Sequence, residues 1–281
     1  AALHEVVGGI DVGLESPYHL VVCRDGGLAL PPIPELRDEL KAVEFFNRCL
    51  ASFLIGGVYC AAIALGGLDF GSILDWKLVR TLGQATAMPN RFHTLVRMQT
   101  ASPVEAIELE QPRSLGLNEL IEASKLGRRV LERVPEVGGE FLLRGATGYA
   151  HRDWGVALAN LWIVIEQLTS HLWETSVISE AKIDPPIDGR IDSLKDNRTW
   201  TVGVRHEVLF QKKLISQPAF SELNKARKAR NKLSHSGQHP DEIAAKSALN
   251  ALRELLGSIM PDSAIPFLKL DLDAHGLSDP F

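Results

Sequence analysis

Residues 153–174, DWGVALANLWIVIEQLTSHLWE, constrain this 281-residue chain more than any other stretch. Trp154, Leu158, Leu161, Trp162, Ile165, Leu168 and Leu172 recur at three- and four-residue spacing, which places them on one stripe of a helix. A stripe that includes two tryptophans must be covered by other elements. Three further segments offer such cover. Residues 114–134 start at Ser114 or Asn118 as cap, with apolar residues at 117, 120, 121, 126, 130 and 131. Residues 218–237 open on Pro218 and stop at Gly237. Residues 239–259 open on Pro240 with an acidic first turn, and Ile243, Leu249, Leu252, Leu256 and Ile259 form the expected core face. Four such helices, with helical pieces near 187–196 and 203–214 in the connector, predict a bundle.

Upstream, the pattern is mixed. Residues 4–11 and 18–24 read as strands around a turn, and residues 28–34, LALPPIP, as a linker. A helix is expected over about residues 35–54, where Leu36, Leu40, Val43, Phe46, Leu50 and Phe53 form the stripe. Residues 49–68 carry no charge and are about long enough to span a bilayer. The helical pattern begins earlier, however, with Arg37, Asp38, Lys41 and Arg48 interleaved, and it stops at Gly56-Gly57. Residues 58–65 then read as a short buried segment, and no membrane association is expected. Strands are expected within 91–100 and 104–112. The fold class is therefore mainly α, a small α+β unit (1–112) preceding a helical bundle (113–260), with a tail (261–281) in which PFLKLDLD reads as a strand.

Net charge is −5, so the molecule as a whole does not attract polyanions, and any anion surface must be local. One such locality exists. Between 205 and 232 stand Arg205, Lys212, Lys213, Lys225, Arg227, Lys228, Arg230 and Lys232 against Glu207 and Glu222. Cys23, Cys49 and Cys60 lack paired spacing, so neither a disulfide framework nor a metal site is expected, and a reducing cytoplasm is the default location. No cleavable leader pattern is present, and a start at Ala1-Ala2 suggests residues further upstream.

The basic segment ends in KARKARNKLSHSG, residues 225–237. Asn231 and His235 are four apart and share a helix face, with Arg227 one turn back on the same row. Arg230 is five residues from His235, about 140° around the axis. His235 falls in the last turn, where the helix dipole favours imidazolium. One short turn thus offers a planar cation for phosphate, an amide and a proton-transfer group.

RNKLSH, residues 230–235, resembles the R-x4-6-H signature of the HEPN superfamily, and so does its setting over about residues 116–260. There a long helix carries Glu166 among apolar residues, a variable connector follows, and then come the motif helix, a Gly break and a final helix. The resemblance implies a homodimeric, cytoplasmic, HEPN-like bundle without metal or cofactor that cleaves RNA. His235 would be the general base or acid for 2′-OH attack on the adjacent phosphate, Arg230 would stabilise phosphate charge, and Asn231 would orient His235 or hold the strand. Arg227, Lys228, Lys232 and Arg205 would contact RNA, and Glu166 would be a second contributor to the cleft. A toxin–antitoxin or phage-defence setting, with an antitoxin or regulatory partner, is what such a unit suggests. The alternative is a non-catalytic dimerisation or RNA-binding module regulated by its N-terminal unit.

Other residues were weighed on the same footing. GGIDVG, residues 8–13, resembles the first phosphate hairpin of actin-like ATPases, yet Asp11 without further acidic partners reads as a turn residue. Asp153 reads as a helix cap rather than a catalytic partner of His151. Arg205-His206 reads as a solvated helix face, Trp162 and Trp173 as core or interface, and His239 as a helix-entry residue. The chain has no HExxH, Walker loop or GxGxxG sequence.

Overall fold

The computed structural model describes residues 5–24, 26–68, 71–74, 77–80, 115–181, 187–261 and 263–273. The protein is mainly helical, with a small three-stranded antiparallel sheet near its N-terminus. It packs into two compact units, Ala1–Cys49 with Ile63–Lys125, and Leu50–Ala62 with Leu126–Phe281. The division is not a single cut at residue 112, because each unit takes part of two long helices.

In the first unit, β1 (Val6–Ile10), β2 (Leu20–Cys23) and β3 (Leu28–Ala29) form the sheet in that order. Ile10, Leu20, Val22 and Cys23 are buried. Asp11 closes the turn after β1 by accepting from the Gly13 amide at 2.8 Å, and Gly13 has φ +83°, so Asp11 is a turn residue as expected. Helix α1 (Glu39–Ile55) is capped by Asp38, which accepts from the Lys41 amide at 3.0 Å. Its stripe is buried from Val43 to Phe53, whereas Leu40 stays exposed. Residues 58–65 were expected to be buried and are not. They run without regular structure, half-buried to exposed, because their backbone is held by a side chain: Asn47, fully buried, donates to the Ile63 carbonyl at 2.9 Å and accepts from its amide at 2.8 Å. A second hairpin pairs β4 (Gly71–Leu74) with β5 (Lys77–Arg80). The strands expected within 91–100 and 104–112, and the cap Ser114, lie outside the described residues.

The second unit is built around α4 (Trp154–Trp173). It follows α2 (Leu117–Arg133) and α3 (Gly139–Ala150) and precedes α5 (Arg190–Lys195), α6 (Val202–Gln211), α7 (Gln217–Ser236) and α8 (Glu242–Ile259). Leu158, Leu161, Trp162, Ile165, Leu168 and Leu172 are buried as their spacing requires, and α3, α6, α7 and α8 all pack on α4. The three longest helices of this set, α4, α7 and α8, start on a side-chain cap. Asp153 accepts from the Val156 amide, Ser216 from the Ala219 amide and Asp241 from the Ala244 amide, at 3.0, 3.1 and 2.9 Å.

Helix α3 has no sequence stripe that announces it, because glycines make its contact face. A Cβ on Gly145 would lie 2.7 Å from the Leu161 side chain, and one on Gly148 would lie 2.8 Å from the Ala157 amide nitrogen. The absent side chains let α3 and α4 approach at backbone distance. Two expectations fail at the ends. Ile243, assigned to the core face of α8, is 72% exposed because the first turn of α8 extends past its neighbours, while Leu249, Leu252 and Leu256 are buried. The PFLKLDLD stretch is a 3-10 turn (Pro266–Lys269) rather than a strand. Phe267 and Leu272 sink into the core, Arg253 stacks over the Phe267 ring at 5.3 Å, and its Nη2 donates to the Leu270 carbonyl.

Gly127 on α2 shows what backbone contact demands. A Cβ there would sit 2.0 Å from the Ser52 carbonyl oxygen of α1. Gly127→Ala gains up to about 1 kcal/mol of helix propensity. Forcing two backbones apart costs about 1–3 kcal/mol, occasionally more. The clash therefore wins: Gly127→Ala is expected to lower the urea midpoint of unfolding. A midpoint equal to or above wild type would contradict the close α1–α2 approach.

Candidate functional site

Leu223 and Ala226 bury one face of α7 against the bundle. The opposite face carries Lys228, Lys232 and His235, all exposed and spaced by four and three residues, so they form one row of cations leading to the helix end. Arg230 and Asn231 sit half-buried, Arg230 on the side of the helix turned away from that row, with Arg230 Nη1 donating to Asn231 Oδ1 at 3.5 Å. The end of the helix is closed by backbone and hydroxyl groups. Gly237, at φ +64°, donates its amide to the Leu233 carbonyl at 3.1 Å, and Ser236 Oγ donates to the Lys232 carbonyl at 2.6 Å. His235 is therefore spared from capping, and no hydrogen bond or ion pair among the described residues engages its ring. The structure brings Arg230 and Asn231 together and leaves His235 a separate, solvent-facing imidazole.

Arg205 and His206 are not the solvated face that their residue types suggested. His206 is fully buried and Arg205 is 8% exposed. Arg205 donates to Ser170 Oγ at 3.3 Å and to Asn197 Oδ1 at 2.5 Å, and its guanidinium lies 5.5 Å over the Trp173 ring. Those partners are 35 and 8 residues distant, so no local pattern on α6 reveals them. With its charge spent internally, Arg205 drops out of the surface that could meet a nucleic acid.

His206 Nε2 and Thr169 Oγ1 are hydrogen-bonded at 2.9 Å, and the ring stands edge-on to Trp162 at 6.3 Å. Burial, with the positive charge of Arg227 second, pushes the His206 pKa down to about 4. Arg227 is half-buried rather than free at the surface. A Cβ on Gly203 would meet its guanidinium carbon at 3.2 Å, and its Nη2 donates to Asn224 Oδ1 at 3.3 Å. Glu166 is half-buried and accepts from Trp162 Nε1 at 2.8 Å, so its carboxylate has a structural partner one turn back.

One juxtaposition was not visible in the sequence. A Cβ added to Gly155, in the first turn of α4, would lie 3.6 Å from Asp153 Oδ1 and 3.8 Å from His239 Nδ1. His239, in the link between α7 and α8, thus stands near the start of α4. His239, His235 and Asp153 are all exposed. The end of α7 and the starts of α4 and α8 meet at this corner. The corner and the helix leading to it carry the cations Lys228, Lys232 and Arg230 and the imidazoles of His235 and His239, residue types able to bind anions and to transfer protons. No family model, curated protein or solved structure matches the chain.

The buried His206 makes a pH prediction with a defined sign. Its ordinary pKa is about 6.5, and in the fold it is about 4, so on acidification the unfolded chain takes up a proton that the folded chain refuses. The associated stability is complete above about pH 6.5 and is lost as pH falls towards 4, on the order of 3 kcal/mol across that window. His206→Gln is expected to remove this slope from urea-unfolding free energies measured between pH 7 and 4, relative to wild type. An unchanged slope would refute a buried neutral imidazole.

Proposed function

We propose that the protein is a metal-independent endoribonuclease of HEPN type that acts as a homodimer, with Arg230, Asn231 and His235 at its reaction centre. The observation that supports this most is the layout of the α7 terminus, where a cation row leads to an unengaged imidazole and a guanidinium–amide pair stands in the preceding turn. Lys228 and Lys232 hold the strand through its phosphates, which explains how a chain of net charge −5 can bind RNA. His235 exchanges the proton of the 2′-OH, and Arg230 neutralises the charge growing on the non-bridging oxygens. Asn231 fixes the Arg230 side chain from the same turn. Glu166 and Arg227 serve the framework behind the site. Toxin–antitoxin or antiviral action, with a regulatory partner, is the setting in which such an enzyme acts. Among the described residues, no helix is long and apolar enough to cross a membrane.

The non-catalytic alternative draws on one observation. Arg230 hydrogen-bonds Asn231 rather than His235, and the motif places the two about 140° apart around α7. A single chain therefore does not close a site around both, and an isolated protomer would only bind RNA. A second copy supplies the missing half, and the exposed Ile243 at the same corner is suited to that contact.

Two measurements decide between these readings. A 5′-labelled RNA incubated in EDTA is expected to be cut by wild type to 2′,3′-cyclic phosphate ends, with the matched DNA intact. His235→Ala should lose cleavage by about 10²-fold or more while retaining RNA affinity. Cleavage of DNA at the same rate, or dependence on added metal, rejects the mechanism, and binding without cleavage by either protein supports the alternative. Ile243→Asp, at an exposed position, is expected to keep its helical circular dichroism but shift light-scattering mass from dimer to monomer and reduce cleavage in parallel. Full cleavage by a monomer would remove the second copy from the mechanism.

A further inference from the structure

The cation row of α7 continues backwards along the helix in steps of four. Lys232, Lys228, Asn224 and Phe220 lie on one ridge, each about 6 Å from the next along the axis. Lys228 and Lys232 are exposed, whereas Asn224 and Phe220 are half-buried. At the far end the Phe220 ring stacks on that of Phe210 from α6, with centroids 4.7 Å apart and planes inclined by 10°. We propose that this ring pair is a base-stacking anchor for single-stranded RNA, at the distal end of a track whose phosphates pass Lys228 and Lys232 towards His235. The inference rests on the ribonuclease reading for its ligand and names the form of RNA that the surface takes.

Packing and charge both support the assignment. The α6–α7 turn is closed from the inside by Leu209, Ile215 and Leu223, all buried, so the two phenylalanines lie towards the solvent side of that core. Lys212 and Lys213 stand exposed in the same turn. Nearby acids are already matched, since Lys212 Nζ reaches Glu180 at 2.6 Å and Lys225 Nζ reaches Glu222 at 2.7 Å. Among the described residues, Lys213, Lys228 and Lys232 are in no ion pair. Positive charge is therefore left beside the rings as well as along the row, the pairing of aromatic faces with cations that holds an unpaired nucleic-acid strand.

The chemistry selects strand form and not sequence. In a duplex the bases are stacked and paired, whereas an unpaired strand can splay a base onto a ring. Phenylalanine offers a ring face and no hydrogen-bonding group, so the anchor accepts any base. Phe220 is fifteen residues before His235, about 22 Å along the helix, so the anchor acts several nucleotides from the cut.

Binding tests this on a His235→Ala parent in EDTA, where no strand is cut. Fluorescence anisotropy compares the parent and Phe220→Leu on a labelled single-stranded RNA, on the same RNA with one abasic nucleotide moved along it, and on a duplex RNA. Phe220→Leu is expected to bind the single strand about fivefold or more weakly. An abasic nucleotide at the anchored position should weaken the parent by a similar factor and leave Phe220→Leu unaffected, and the duplex should bind both proteins equally. Ultraviolet cross-linking of the single strand to the parent reads the anchor without altering the rings, and the cross-link is expected on the peptide that holds Phe210 or Phe220. Equal affinities for the single strand, abasic penalties that are the same in both proteins, an equal loss on the duplex, or cross-links confined to other peptides overturn the anchor and leave the ribonuclease reading standing. Coupling between ring and base, with no cleavage by wild type, keeps the anchor and removes the enzyme. A parent that binds no RNA overturns both.

Discussion

The second unit depends on one requirement: a helix buried along most of its length must find a partner for every polar group it carries. Helix α4 meets it with one pair of its own and with groups brought from elsewhere in the chain. Thr169 pairs with His206, Trp162 with Glu166, and Trp173 donates its Nε1 to the Leu194 carbonyl at 2.9 Å. Each removes a cost of roughly 1–3 kcal/mol for a buried donor or acceptor left unpaired. The Thr169 and Trp173 bonds also fix distances, so α6 and the preceding connector are set against α4 by hydrogen bonds as well as by apolar contact. Helix α7 then packs on α6 through Arg227 and Gly203, which ties the basic helix to a rigid support.

This dependence explains the contrast between the two ends of α7. In its middle, cations are drawn inward. Arg227 lies against the α6 backbone, and Arg205 on α6 is consumed by Ser170, Asn197 and the Trp173 ring. Towards its C-terminus the neighbours fall away, and Lys228, Lys232 and His235 face solvent. A count of basic residues treats all of these alike. Packing divides them into a structural set and a surface set, and only the surface set can meet a polyanion.

The legibility of the sequence follows the same division. Elements with a wide apolar stripe and a cap were readable because both signals are local; α4 with Asp153, and α8 with its Pro240 entry, are the clearest. Helix α3 was not, since its contact face is made of Gly145 and Gly148, residues that local reasoning treats as breakers. Ile243 was read into the core because periodicity reports which face a residue occupies and not where the neighbouring helices end. The alternation in PFLKLDLD suggested a strand, yet Arg253, sixteen residues upstream of Lys269, sets that segment's place by covering Phe267. The candidate site was half legible. The spacing of Arg230, Asn231 and His235 is a local fact, whereas the burial of Arg205 and the approach of His239 to Gly155 depend on α4 passing beneath.

The corner where α4, α7 and α8 meet also shows why proton-transfer groups collect where regular structure stops. Inside a helix, an imidazole is either buried and held neutral, as His206 is, or spread along a solvated face. At a helix end the chain turns, and residues from three elements come within side-chain reach without sharing a backbone register. Gly237 makes the reversal, Pro240 sets the exit, and Gly155 leaves the neighbouring surface open. None of these three carries a functional group. They accompany an approach of His239 to the start of α4, while His235 remains at the end of a row of cations. The result is a neutral buried histidine that stabilises the framework, and two exposed ones that face solvent.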